Sequence, residues 1–318
     1  ISVTLLVLRE KMINRLKKYG IALLSTALML VLADTASAQQ WTRKSSLEFG
    51  IMAGGSNYAG DLTDKYFETQ GIHPNGGLIV RYNPVQRFSF HVGVNYGKLS
   101  GYDSWYSRDE RRSNRNLHFE SDLWDFHAAF DLNLNTFEFG QKRGVVPYIF
   151  GGVSVFKYNP QAQFFYEPNS WQNLANDQSY ETLEDRHEDW IELQPLGTEG
   201  QETTEYNDIK RYSLTQFAVP VGLGVKFKLN ENWTFGIEYS TRITFTDYLD
   251  DVSGDYAELV FLEAQYTAMS KAMADRSPNE NAAGVARGDE SKRDLYNIFG
   301  ITLTYRILKS GEVCPAFR

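Results

Sequence analysis

The feature that most constrains the fold is a two-residue alternation between apolar and polar side chains across residues 124–134. One set of alternate positions is apolar: Trp124, Phe126, Ala128, Phe130, Leu132 and Leu134. The positions between them are mostly polar: Asp125, His127, Ala129, Asp131 and Asn133. Successive side chains of a β-strand point to opposite faces, so this segment predicts a strand with one apolar face and one charged face.

The same alternation recurs along the chain and predicts eight strands. They span residues 47–53, 77–82, 88–96, 124–134, 145–158, 219–229, 233–245 and 295–307. The segment 145–158 is rich in Gly and alternates less clearly, and the only helix predicted is 256–273. Few helices are therefore available to cover the apolar faces. The pattern predicts an all-β fold, an eight-stranded antiparallel up-and-down transmembrane β-barrel with lipid outside and charges inside.

The connections between these strands alternate in length, which is typical of outer-membrane barrels. The short ones are 83–87, 136–144 and 230–232, and we expect them on the periplasmic side. The long ones are 56–76, 100–117, 167–208 and 247–293, and we expect them outside the cell. A barrel of eight strands has room inside only for its own side chains. The sequence therefore predicts no wide pore.

Composition narrows the function classes. Mean hydropathy is −0.41, which argues against a bundle of membrane helices but not against a barrel with polar inward positions. The net charge of −8 makes nucleic acid a poor partner. One cysteine, Cys314, excludes a disulfide framework within the chain.

The N-terminal region has the pattern of an export signal. Met12 is followed by a basic segment, 13–18, an apolar run, 21–33, and the small residues Ala36-Ser37-Ala38. We therefore expect residues 1–11 to be an upstream extension, 12–38 a signal peptide and 39–318 the barrel domain. The alternative is a membrane anchor, but the apolar run is shorter than the roughly 20 residues that a spanning helix needs.

The inward face of the predicted barrel carries a set of charged and imidazole side chains. They are His91, Asp125, His127, Asp131, Lys226, Lys228, Glu238, Arg242 and Arg306. One interpretation is a network of ion pairs that fills a narrow lumen, since isolated charges would be costly there. The other is a path for protons or ions, for which the sequence offers no specific motif.

The second long connection contains a cluster of arginines among acids. Its candidate contact residues are Arg108, Asp109, Arg111, Arg112, Arg115 and His118. Guanidinium groups bind carboxylates and phosphates well. The cluster is interpreted either as an internally paired or lipopolysaccharide-contacting loop, or as a contact for a partner or the barrel mouth.

The third long connection, 167–208, carries twelve acids and one base, Arg186. It is either a solvated surface or a collector of divalent cations, but no ligand spacing resembles a calcium loop. His187 within it is a weak metal candidate. We predict no metal site and no cofactor.

Catalytic groups were sought among Ser, His and acid positions. His118, Glu120 and Ser121 are close in sequence, but His118 and Ser121 are three positions apart and would point to opposite faces of a strand. His127 and Ser240 both face inward, but the sequence does not place them at the same depth in the barrel. No nucleophile elbow, zinc signature or phosphate loop is present. The chain is therefore predicted not to be an enzyme.

Several segments resemble a known family. They are 49–62 (FGIMAGGSNYAGDL), 107–119 (SRDERRSNRNLHF), 147–153 (PYIFGGV) and 156–160 (FKYNP). Over about residues 45–307 the chain resembles the PorG-type outer-membrane proteins of the type IX secretion machinery of Bacteroidota. The resemblance implies a non-enzymatic part of a protein-export apparatus, serving secretion, gliding motility or both. It also implies contact with a periplasmic ring built from a lipoprotein and its partner.

Two other functions stay open at this point. One is a stand-alone barrel whose loops serve adhesion or contact with lipopolysaccharide. The other is a lipid-modifying barrel enzyme that uses His127 or Ser240. The expected partners are outer-membrane lipid and lipopolysaccharide together with the periplasmic ring proteins, and not nucleic acid.

Overall fold

The computed structural model of the chain describes residues 45–63, 65–135, 144–167, 181–206 and 208–308. The expected upstream extension and signal peptide lie outside the described residues. So do most of the predicted 136–144 turn and part of the third long connection.

The described chain contains long antiparallel strands and one short one. They are β1 (Ser46–Ala59), β2 (His73–Asn83), β3 (Phe88–Tyr102), β4 (His118–Asn133), β5 (Gly144–Gln163), β6 (Trp190–Glu192), β7 (Thr215–Lys228), β8 (Trp233–Thr244) and β9 (Leu295–Leu308). Eight of them pair in sequence order, and β1 pairs with β9 to close the ring. The prediction of an eight-stranded up-and-down barrel is confirmed.

The strands near the long connections run further than the alternation of apolar residues predicts. β3 continues to Tyr102, β4 begins at His118 and β5 reaches Gln163. Beyond the apolar belt the outward positions become polar, as with Lys98 and Glu120, so the sequence signal fades while the backbone pairing continues. The short strand β6 pairs with residues 161–163 of β5, beyond Lys157, where the pairing of β5 with the start of β7 stops.

The helices are short and lie in the long connections. They are α1 (Glu110–Arg115), α2 (Glu181–Glu184), α3 (Leu259–Gln265) and α4 (Ala268–Ala274). The predicted continuous helix over 256–273 is wrong, because the chain breaks between α3 and α4. Thr267 there is extended, and its hydroxyl accepts the backbone N–H of Ser270, which starts α4 as a new helix.

The outward face of the barrel is apolar and open to its surroundings. Its exposed large side chains include Phe49, Ile51, Leu78, Phe90, Val92, Phe126, Val153, Phe217, Leu223, Ile237, Ile301 and Leu303. Ile51 is 57% exposed and Val153 65%, and neither a helix nor a second sheet covers this belt among the described residues. Aromatic pairs flank it: Trp233 with Tyr305 at one end, and Tyr96 with Trp124 towards the other. Such a surface needs an apolar solvent, which a bilayer supplies.

The first long connection lies partly on the outside of the barrel wall. Asn57 and Asn297 face outward but are buried, because residues 65–72 cover them. Asn297 donates to the carbonyl oxygen of Tyr66 at 2.8 Å, and Asn57 to that of Glu68 at 3.3 Å. The ring of Phe67 packs on Phe299 with centroids 5.3 Å apart. This segment thus hides a polar patch that would otherwise face lipid.

The described parts of the other long connections pack over one end of the barrel and form what we call the loop layer, residues 103–117, 164–167, 181–206, 208–214 and 245–294. Its buried apolar side chains include Leu117, Leu183, Leu193, Leu249, Val252, Ala272 and Met273. They form one cluster with Tyr58, Phe119, Phe156 and Tyr296 from the barrel strands. The long connections are therefore folded rather than loose.

Candidate functional site

The lumen holds two charged clusters, and the first is built around Arg81. Its guanidinium binds Asp131 at 3.0 Å and Glu238 at 2.9 Å, and lies 3.8 Å from Glu48. The Arg81 side chain is 1% exposed. Three carboxylates from three separate strands therefore converge on one cation.

More side chains complete this first cluster. Asp131 also binds His91 Nδ1 at 2.6 Å and Lys226 Nζ at 3.0 Å. Glu48 binds the guanidinium of Arg306 through Nε at 2.8 Å and Nη2 at 2.6 Å. Three cations, Arg81, Lys226 and Arg306, thus face three carboxylates, Glu48, Asp131 and Glu238. With His91 uncharged the two sets balance, which limits the cost of burying them.

The ring of Tyr148 packs against the cations of the first cluster. Lys226 Nζ lies 4.1 Å from the ring centroid, and the Tyr148 hydroxyl donates to Glu238. The sequence pattern of β5 was unclear because Tyr148 and Phe150 point inward here. Large aromatic side chains thus fill space that charged groups alone would leave open.

The second cluster lies nearer the loop layer and is built around Asp125. This carboxylate is 3.3 Å from Nη2 of Arg242 and 2.8 Å from Nδ1 of His127. It also accepts the hydroxyls of Ser154 at 2.6 Å and Tyr296 at 2.8 Å. Asp125 is fully buried, and its oxygens are occupied by these donors.

The structure therefore divides the predicted inward charges between two places. Asp125, His127 and Arg242 form the second cluster, and His91, Asp131, Lys226, Glu238 and Arg306 belong to the first. Lys228 lies at the short-turn end, near Arg306. Sequence reasoning missed Glu48 and Arg81. The alternation pattern could have identified them. Each lies between outward-facing apolar residues of β1 or β2 and therefore faces inward.

The filled lumen leaves little free volume. A cavity of about 60 Å³ opens at the short-turn end, lined among others by Asn83, Asn133 and Arg306. This volume holds a few water molecules. Beyond it the two clusters and the loop layer occupy the axis of the barrel.

The arginine-rich loop is tied to the loop layer. Arg115 binds Asp103 through two nitrogens, at 2.8 and 2.6 Å, and donates to the carbonyl oxygens of Arg287 and Asp61. Asp109 caps α1 by accepting the backbone N–H groups of Arg111 and Arg112. These contacts fix the loop from within.

The remaining members of the predicted contact set differ in exposure. Arg112 lies over the ring of Tyr106, and Arg111 donates to the carbonyl oxygen of Ala286 at 3.3 Å. His118 Nε2 accepts the backbone N–H of Gln163 at 3.0 Å. Arg108 is exposed. Of this set, Arg108, Asp109 and Arg111 are exposed, Arg112 and His118 are half-buried, and Arg115 is buried.

A third ionic centre joins two long connections within the loop layer. Arg287 binds Glu199 at 2.9 Å and lies 3.7 Å from Asp251, and all three side chains are buried. Asp251 also accepts the hydroxyls of Thr198 and Tyr212, each at 2.6 Å. Burial raises the pKa of Asp251 to about 6, although Arg287 opposes that change.

The described part of the acidic third connection forms local contacts. Arg186 binds Asp189 at 2.5 Å, and Nδ1 of His187 accepts the backbone N–H of Tyr166 at 3.0 Å. Within the described ranges, no three His, Cys, Asp or Glu side chains lie together in a way that could hold a metal ion.

The serines that might act as nucleophiles are engaged elsewhere. Ser240 donates to the carbonyl oxygen of Ile298 and contacts Arg242, while Ser154 binds Asp125. Ser121 donates to the carbonyl oxygen of Asp122. Among the described residues, His91 and His127 bind Asp131 and Asp125 and form no hydrogen bond with a serine hydroxyl. A serine–histidine pair does occur elsewhere, where Ser100 Oγ lies 2.7 Å from His73 Nε2.

A closed antiparallel barrel with an exposed apolar belt, aromatic pairs at its margins and a charged interior is a transmembrane β-barrel of the outer-membrane type. The expected location in the outer membrane is confirmed. Among the described residues, no helix is long and apolar enough to cross a bilayer.

Comparison with known proteins gives one family match and several similar folds. A family model described as "Domain of unknown function (DUF6089)" matches residues 22–179, a stretch that contains β1 to β5. No curated protein matches the chain.

Three solved structures illustrate the similar folds. Ail, the attachment invasion locus protein of Yersinia pestis, in complex with the heparin analogue sucrose octasulfate, is 10% identical with a TM-score of 0.35, and the match covers 83% of this chain and 99% of that one. OprG of Pseudomonas aeruginosa is 8% identical with a TM-score of 0.34, covering 84% and 97%. A major outer membrane protein of Thermus thermophilus is 11% identical with a TM-score of 0.34, covering 83% and 99%. These likenesses are weak, and the barrel is established by its own strand pairing.

Proposed function

We propose that this chain is a non-enzymatic outer-membrane component of a type IX protein-secretion apparatus, of the PorG type, which contacts a periplasmic ring complex. The sequence segments 49–62, 107–119, 147–153 and 156–160 support this proposal by their resemblance to that family. The two charged clusters in the lumen also fit this proposal, because a barrel whose interior holds its own side chains is suited to act through its surfaces.

The filled lumen and the covered end limit where a partner can bind. The loop layer occupies one end of the barrel and the apolar belt faces lipid. The short-turn end is left with exposed backbone turns, including Gln86 and Asn230–Asn232, and with Trp233 at its margin. In the proposed role this end faces the periplasm and carries the ring contact. Lipid and lipopolysaccharide contact the belt and the loop layer.

Site-specific photo-crosslinking tests the proposed contact. A photoreactive residue at Gln86 or Asn230 is expected to crosslink the ring lipoprotein or its partner in intact cells. The same group at Glu205, which is exposed on the loop layer, is the matched control and is expected to crosslink neither. Crosslinks to the ring from Glu205 alone would overturn the assignment of the short-turn end.

Deletion of the gene tests the role itself. Loss of the barrel is expected to stop export of the secreted cargo and to disturb assembly of the ring. A deletion strain that exports its cargo normally, with intact rings, would contradict the secretion role. Reintroducing the wild-type chain is the control for effects on neighbouring genes.

A second function, adhesion or lipopolysaccharide contact by a stand-alone barrel, is favoured by one feature of the loop layer. Phe165 is 52% exposed and Trp190 40%, and both rings lie near His118. Exposed aromatic groups grouped in this way are typical of interaction surfaces. Under this alternative, Trp190→Ala lowers binding of cells or lipopolysaccharide while export is unchanged. Under the secretion role, Trp190→Ala affects neither.

A further inference from the structure

Two buried carboxylates meet at a single hydroxyl where the barrel joins the loop layer. Tyr58, near the end of β1, has its hydroxyl oxygen 2.6 Å from Asp250 Oδ2 and 2.9 Å from Asp294 Oδ1. All three side chains are at most 1% exposed. Asp250 lies near the start of the connection between β8 and β9, and Asp294 ends it. The contact therefore joins both ends of this connection to β1.

Each carboxylate has its other oxygen on the backbone. Asp250 Oδ1 accepts the N–H of Val252 at 3.0 Å, and Asp294 Oδ2 accepts the N–H of Leu249 at 2.8 Å. Asp250 Oδ2 and Asp294 Oδ1, the oxygens that face Tyr58, are therefore available to bind the phenol hydroxyl. A phenol has one hydrogen to donate, while an ionised carboxylate only accepts. Two full hydrogen bonds at Tyr58 thus require a second hydrogen, which only a protonated carboxyl can supply.

The surroundings offer more negative charge than positive. No ion pair joins Asp250 or Asp294 to a cation within the described ranges. Asp61 and Asp247 add negative charge from neighbouring segments, and Arg115, a cation that interacts electrostatically with Asp250, is held by Asp103. Burial, together with the adjacent carboxylates, raises the pKa values of Asp250 and Asp294 well above the usual range.

We propose that Asp250 and Asp294 share one proton through Tyr58, and that this proton holds the β8–β9 connection closed over the barrel. Asp250 and Asp294 anchor the connection that carries α3 and α4, whose apolar side chains complete the loop layer. When the proton leaves, two carboxylates face each other in a site without a cation, and the connection loosens. The loop layer is thus a cover that is closed at low pH and loosens at high pH. This inference is independent of the export role.

The sign of the pH dependence follows from where the proton binds. The closed layer holds a proton that the open layer releases at its ordinary carboxyl pKa. Closure therefore loses stability as the pH rises from that ordinary value towards the raised one, and the opening constant grows by up to about tenfold per pH unit. Below the ordinary value the pair contributes no pH dependence.

Hydrogen exchange of residues 245–294 in the full-length protein, measured between about pH 5 and about pH 9 and corrected for intrinsic rates, tests the proposal. The opening constant of the wild type is expected to rise with pH. In Asp250→Asn the amide donates to Tyr58 permanently, so this rise is expected to flatten and the layer to stay closed at high pH. Asp255→Asn, an exposed residue of the same connection, is the matched control and is expected to behave as the wild type.

Infrared spectroscopy provides a second readout that does not depend on loop opening. The wild type is expected to show the C=O band of a buried carboxylic acid at neutral pH. The part of that band that belongs to the pair is expected to be lost in both Asp250→Asn and Asp294→Asn, because the remaining carboxylate then ionises, while the part that belongs to Asp247, whose pKa is about 7, stays. A wild type without the band, or one whose opening constant does not change with pH, would overturn the shared proton.

Discussion

The lumen and the loop layer are both buried, yet they neutralise their charges differently. In the lumen, three cations face three carboxylates around Arg81, and Asp125 is matched by Arg242. In the loop layer, Arg287 and Arg115 hold part of the acids, while Asp250 and Asp294 bind a phenol and backbone N–H groups and form no ion pair among the described residues. The charges of the lumen are therefore neutralised by ion pairs, whereas some carboxyl groups of the loop layer are neutralised by a bound proton.

This difference separates a rigid region from an adjustable one. An ion pair between Arg and a carboxylate persists across the pH range in which both stay charged. A shared proton is lost when the pH rises. We therefore expect mutations in the lumen to affect the whole barrel, and mutations in the loop layer to affect only the layer.

The largest effect is expected in the lumen. Arg81→Leu leaves Glu48, Asp131 and Glu238 without their common cation, and we expect a loss of about 3–5 kcal/mol in the free energy of unfolding. Urea unfolding in lipid vesicles measures it. Arg108→Leu, the same change at an exposed site, is the control and should fall within about 0.5 kcal/mol of the wild type. Equal stability of the two variants would refute the central role of Arg81.

A smaller and local effect is expected from Arg287→Leu. The change leaves Glu199 and Asp251 buried without a cation, so residues 185–205 and 250–290 should open more often. We expect limited proteolysis there to become at least about tenfold faster while barrel unfolding is unchanged. A barrel that unfolds with the layer would show that the two regions are one cooperative unit. Arg211→Leu, at a weaker, partly exposed pair, serves as the comparison.

The pH dependence of the loop layer should have a second, weaker contribution from Asp247. Burial raises the pKa of Asp247 to about 7, so closure loses stability as the pH rises from the ordinary carboxyl value to about 7. Because this side chain is only partly buried, the slope should be well below tenfold per pH unit. Asp247→Asn is expected to remove this part alone, as measured by hydrogen exchange. A variant with the full wild-type slope would assign the whole effect to other groups.

The smallest effect is expected on the strand surface beyond the apolar belt. Lys98 and Glu120 pair at 2.9 Å, but their side chains are 43% and 21% exposed. A double-mutant cycle with Lys98→Ala and Glu120→Ala should give a coupling below about 1 kcal/mol, which salt weakens further. A coupling as large as that at Arg81 would mean that exposure does not distinguish the two regions.

Local patterns were enough to predict the barrel itself. Trp124 to Leu134 and the other alternating segments gave the eight barrel strands, their outward faces and the short turns at 83–87 and 230–232, because period-two patterning is a property of each strand alone. The ends of β3, β4 and β5 were missed, since their outward positions turn polar there.

The centres of the site depended on contacts that no single segment reveals. Arg81 and Glu48 are isolated charges in the short predicted segments 77–82 and 47–53, and only strand pairing brings them to Asp131 and Glu238. The meeting of Tyr58, Asp250 and Asp294 joins residues 192 and 236 positions apart. The loop layer was also missed, because its helices are too short to show a period of 3.6 residues.

The segment 65–72, which lies against the outside of β1 and β9, makes the circumference of the barrel unequal. Tyr66 is 80% exposed beside Asn297, so lipids on this flank meet an aromatic ledge, whereas those beside β3 and β4 meet a smooth row of strand side chains. The outer surface of the barrel is therefore uneven around its circumference, although its strands form a closed ring.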